Sequence, residues 1–130
     1  MRRPDLKRVT FGVILGGFAI GCFTHAMDFW WFGWAPYRFG PPMLNAFWNA
    51  LVLLDAGVIG LLALGWRRAG LLLALAVMLG DVAANSYAWH VIGLTEFAPA
   101  LVAQAGFLGF LLGSAGSLWP RRRPPPATTV

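Results

Sequence analysis

Four apolar stretches, each long enough to cross a bilayer, alternate along this chain with short polar or basic joints. They run over about residues 9–32, 43–64, 70–91 and 97–118. A helix rises about 1.5 Å per residue, so some twenty residues cover the roughly 30 Å hydrocarbon layer. That layer holds no water to satisfy backbone N–H and C=O groups, which leaves the helix as the form each stretch takes. The pattern predicts an all-α, polytopic membrane protein. Four transmembrane helices over residues 1–120 form an antiparallel bundle, and a basic, proline-rich tail over 121–130 is expected to be disordered.

The joints carry helix punctuation. Pro36, Gly40, Pro41 and Pro42 break the chain after the first span and make an external loop. Phe29 to Phe39, FWWFGWAPYRF, is dense in aromatics. Trp30, Trp31, Trp34 and Tyr37 suit the membrane–water interface, so an interfacial belt is the favoured reading over a lid folded back on the bundle. Residues 66–70, WRRAG, read as a tight inner turn between antiparallel neighbours. Pro99 falls in the first turn of the last span, where proline is tolerated.

Small residues mark where helices can approach closely. In the first span Gly12 and Gly16, then Gly17 and Gly21, are four apart. In the last span Gly106, Gly109, Gly113 and Gly116 form a stripe suited to a packed seam, and a homodimer could close on it.

Composition agrees with the pattern. Of the 130 residues 58% are apolar, 12% are charged and seven are Trp, with a mean hydropathy of +0.66. A soluble domain carries about 25% charged residues. The net charge of +5 would suit nucleic acid, but its placement argues otherwise. Nine of the ten basic residues fall at span ends: Arg2, Arg3, Lys7 and Arg8, then Arg67 and Arg68, then Arg121 to Arg123. That is the positive-inside pattern, with both termini cytoplasmic, and it suits membrane lipid rather than nucleic acid. The Ala/Gly/Arg-rich composition suggests a bacterial inner membrane. A single cysteine, Cys22, excludes an internal disulfide.

The candidate chemistry lies in the polar residues that interrupt the spans. Asp55 falls near the middle of the second span and Asp81 near the middle of the third. A carboxylate at that depth costs about 2.5–3.5 kcal/mol on insertion scales, so each should face the bundle interior. Asn85 follows Asp81 by one turn and shares its face. His25 and Asp28 lie in the outer part of the first span, Asn49 in the outer part of the second, and Gln104 in the outer half of the fourth. Four helices thus send polar groups into one half of the bundle, and a shared cavity is the least costly arrangement. For the amides, structural interhelical hydrogen bonding is the stronger reading. For the two acids a functional one is, because two mid-membrane carboxylates exceed what such bonding requires.

No phosphate-binding glycine loop, zinc-ligand spacing or nucleophile elbow is present, so no metal, cofactor or catalytic residue is assigned. A haem between His25 and His90 is disfavoured, since His90 sits near a span end on the face opposite Asp81.

Several short matches resemble the EXPERA superfamily, of emopamil-binding and sigma-2 receptor type. Thr24-His25 with Asp28 resembles that family's His-then-Asp first helix. Phe47-Trp48-Asn49 followed by Asp55 resembles its second helix, and Phe97-Ala98-Pro99 its aromatic-Ala-Pro entry to the last. The resemblance implies that Asp28 and Asp55 occupy acidic ligand-binding positions and that the bundle binds sterol-like or cationic amphiphilic molecules. Asp55 stands where the family has a glutamate, Asp81 has no counterpart, and the isomerase's His/Glu set is not present.

The expected function is binding of a lipid-like or cationic amphiphilic small molecule in an acidic cavity of the outer half. Asp55, Asp81, Asn85, His25, Asp28, Asn49 and Gln104 are the candidate ligand-binding residues. Two alternatives stand beside it: a small proton-coupled transporter working as a dimer, and a non-catalytic subunit of a membrane complex.

Overall fold

In the computed structural model residues 5–120 are described, and among them there is no strand. Four long helices follow one another: α1 Leu6–Phe32, α2 Pro42–Ala63, α3 Arg67–Tyr87 and α4 Ala98–Leu118. All four are long and apolar enough to cross a membrane. Residues 1–4 and the tail expected over 121–130 lie outside the described residues.

The helix ends follow local chemistry. Asp5 caps α1, its side chain accepting the Lys7 backbone N–H at 3.1 Å. Pro42 starts α2, where its missing N–H leaves no orphan donor. The turn between α2 and α3 is tighter than expected and lies earlier. It comprises Leu64 to Trp66, with Gly65 at a φ of 83° that an L side chain rarely adopts. Arg67 and Arg68 already belong to α3. Hydropathy marks where lipid would begin, not where helical hydrogen bonding does, so the apolar run starts later than the helix that contains it. At its far end α3 widens into a π-helical turn, Ala88–Ile92, and a single 3₁₀ turn, Thr95–Phe97, leads into α4.

Neighbours in sequence are neighbours in space, and α1 and α4 close the ring through a thinner seam. Both described ends meet at one end of the bundle, where Asp5 and Pro120 line the same pocket as Arg67. That end is the basic one. Below the middle the ring is filled by Ile14, Val58, Leu62, Leu71, Ala74 and Leu111, all buried. The α2 and α3 backbones approach closely there. A Cβ on Gly70 would lie 2.6 Å from Leu62 Cδ2 and 3.2 Å from the Leu62 backbone nitrogen.

The glycines divide in two. Phe107 of α4 lies against Gly17, and the Asp55 carboxylate occupies the space beside Gly21. Gly106, Gly109, Gly113 and Gly116 meet nothing within 4 Å of a Cβ position, so the stripe makes no seam within the chain.

Candidate functional site: an acidic cavity open between α1 and α4

A cavity of about 570 Å³ lies in the half of the bundle away from the basic end. Its floor comes from α2 and α3: Trp48, Asp55, Met78, Asp81 and Asn85. Its lips come from the two helices of the thin seam. Ile20, Thr24, Ala100 and Ala103 all line it and are all exposed on the outside of the bundle, Ile20 by 67%. The cavity therefore opens sideways between α1 and α4, on the face that lipid would cover. Aromatic and apolar walls with a few convergent polar groups are the usual composition of a small-molecule site.

The two acids reach the floor from adjacent helices. Asp55 is 5% exposed and Asp81 6%, so neither faces the outer surface. Asp55 has no protein hydrogen-bond partner among the described residues, yet no buried side-chain oxygen there is without one. Its carboxylate therefore reaches open cavity. Gly21 makes room for it, since a Cβ there would lie 2.6 Å from Asp55 Oδ2. Asp81 accepts one long hydrogen bond, 3.4 Å from Asn85 Nδ2, through Oδ1 only.

Asn85 is a structural hub rather than a free ligand group. Its Oδ1 accepts Trp48 Nε1–H at 2.9 Å, and its Nδ2 also donates to Gln104 Oε1 at 2.7 Å. One amide thereby ties α2, α3 and α4 together around the cavity floor. Gln104 keeps its own amide N–H groups for the cavity it lines.

The loop between α1 and α2 departs from the interfacial-belt reading. Trp30, Trp31 and Trp34 do stay outside, exposed by 69–93%. Tyr37 and Phe39 instead turn back onto Trp48, with ring centroids 6.3 and 5.4 Å away, and Phe39 also meets Phe97. Two amides of α2 hold this lid. Asn49 Nδ2 donates to the Tyr37 carbonyl at 2.9 Å, and Asn45 exchanges two hydrogen bonds with the Gly40 backbone, at 2.9 and 2.7 Å. Local aromatic content cannot distinguish a belt from a lid. The distinction is made by Asn45 and Asn49, one turn apart on the next helix, which satisfy the loop backbone as it passes.

The Tyr37 hydroxyl hydrogen-bonds to two residues of α1. It donates to Asp28 Oδ2 and lies 2.9 Å from His25 Nδ1. Burial, then the bond to Asp28, push the phenol above its usual range and keep it a donor.

Of the seven candidate residues, His25, Asp55, Asp81, Asn85 and Gln104 line the cavity. Asp28 and Asn49 do not; they stand behind Tyr37, one on its hydroxyl and one on its backbone. Tyr37, Trp48, Phe97 and Phe107 also line the cavity and were not among the candidates. In the sequence Trp48 stands out as one of an aromatic pair ahead of Asp55, and Phe97 as the aromatic at the entry to the last span. His90 is exposed, stacked on Trp89, and does not line the cavity. Among the described residues no three His, Cys, Asp or Glu side chains gather closely enough to hold a metal ion. No family model, curated protein or solved structure matches the chain.

Proposed function

We propose that this chain is a multi-pass protein of a bacterial inner membrane that binds a lipid-like or cationic amphiphilic small molecule. The basic end of the bundle, with both termini, lies in the cytoplasm, and the cavity lies in the outer half of the membrane. The observation that supports this reading is the combination of two inward acids on the cavity floor with apolar lips that open sideways. An amphiphile in the outer leaflet would enter between α1 and α4 without leaving the bilayer. Its cationic head would lie at Asp55 and Asp81, where opposite charge is favoured by the low dielectric. Its tail would stay among Ile20, Ala100, Ala103 and Phe107. The resemblance to EXPERA proteins points the same way.

The test is thermal stabilisation of detergent-solubilised protein by a panel of long-chain amines and their uncharged alcohols. Amines should raise the melting temperature more than the alcohols do, and Asp55→Asn and Asp81→Asn should each remove that excess. Equal stabilisation by both classes, unchanged in the two variants, would reject the assignment. A dimeric exporter is the second reading. It is favoured by the uncovered Gly106, Gly109, Gly113 and Gly116 stripe on α4, which a second copy could cover. Proton-gradient-driven flux in proteoliposomes that Asp81→Asn abolishes would support it.

A further inference from the structure

The hydroxyl of Tyr37 stands between Asp28 Oδ2 and His25 Nδ1. A phenol has one O–H, and Tyr37 gives it to Asp28. Its oxygen can then only accept from His25 Nδ1, 2.9 Å away, so the neutral ring carries its proton on Nδ1. Nε2 is left with a bare lone pair. That atom has no protein partner among the described residues, and since no buried side-chain nitrogen there is unpartnered, it reaches open space. His25 is half-buried and is one of the residues that line the cavity.

The free polar groups facing the cavity are thus mostly acceptors: the Asp55 carboxylate, one oxygen of Asp81 and Nε2 of His25. They are also spaced. The Asp55 carboxylate sits beside Gly21, and His25 is four residues further along α1, about 6 Å of helical rise. A plain amine would satisfy the acids and leave Nε2 unused. A ligand with a hydroxyl on a carbon close to its amine would satisfy both.

We propose that the cavity selects a long-chain amino alcohol, its ammonium at Asp55 and Asp81 and its hydroxyl donating to Nε2 of His25. This rests on the amphiphile-binding reading above. Asp28 and Tyr37 act as positioning residues: neither need touch the ligand, and together they hold the histidine in its accepting form.

Binding of a long-chain 2-amino alcohol is compared with that of the alkylamine of equal chain length, on the full chain in lipid nanodiscs. The amino alcohol should bind on the order of tenfold more tightly, as one added hydrogen bond in a dry site allows. Tyr37→Phe keeps the ring packing on Phe39 and Trp48 but lacks the hydroxyl; it should cut the preference for the amino alcohol over the amine to near unity. ¹⁵N NMR of the histidines should show His25 with a protonated Nδ1 and a bare Nε2 in the parent and a tautomer mixture in Tyr37→Phe. Equal affinities for the two probes in the parent, with Asp55-dependent binding of both, would overturn the amino-alcohol inference and leave the amphiphile reading standing. Binding of neither probe would overturn both. A bare Nδ1 in the parent would overturn the tautomer assignment and with it the inference.

Discussion

The two halves of this bundle are built from the same four helices and solve opposite problems. Toward the basic end the interior is aliphatic, and glycine lets α2 and α3 touch at Leu62 and Gly70. Toward the other end the helices part, Gly17 and Gly21 accept a phenyl ring and a carboxylate, and the interior is polar and open on one side. In a bilayer, aliphatic burial would give no hydrophobic driving force between helices, and tight packing would have to hold the first half. The second half is held by directed hydrogen bonds: Asn85 across three helices, and Asn45 and Asn49 on the returning loop. A bundle can carry a polar cavity at one end because the other end closes the ring without it.

That contrast makes graded predictions. The largest effect belongs to the packed half. Leu111→Ala, at a fully buried position on α4, should cost about 2–5 kcal/mol in detergent unfolding and leave the proposed amine binding per folded molecule unchanged. A loss of affinity without a loss of stability would mean the halves are not separable. Next comes the hub of the open half. Asn85→Ala leaves the buried Trp48 indole N–H and the Gln104 amide without their partner, and should cost about 1–3 kcal/mol. Here stability and ligand binding should fall together. Asn49→Ala releases the loop carbonyl of Tyr37 and should cost about 1 kcal/mol. Its signature is faster amide hydrogen exchange over residues 35–41 with the basic half unaffected. Smallest is Trp34→Ala, at a side chain 93% exposed, expected within about 0.5 kcal/mol of the parent.

The sequence carried the spans and the two acids because both follow from one-dimensional rules. A twenty-residue apolar run and an acid inside it are legible without knowing what packs where. Of the first-span glycines singled out by their spacing, Gly17 and Gly21 are where Phe107 and Asp55 come close, while Gly12 and Gly16 meet nothing within 4 Å of a Cβ position. What one dimension does not hold is which side of a helix meets which neighbour. The α4 glycine stripe is as regular as any seam, yet it faces out of the bundle. Asp28 and His25 share a helix face, but the Tyr37 hydroxyl between them arrives from a loop whose path depends on Asn49. The lid and its aromatic cluster with Trp48 and Phe97 are likewise tertiary facts.

The proposed sideways entry of an amphiphile between α1 and α4, ending over Asp55 and Asp81, can be followed by photo-crosslinking in nanodiscs with a long-chain amine carrying a diazirine on its tail. Labelling should concentrate on Ile20, Ala100, Ala103 and Phe107, be saturable by unlabelled amine and be lost in Asp55→Asn. Labelling spread evenly over outward-facing residues such as Leu53, Leu72 and Leu112, and indifferent to Asp55, would contradict it.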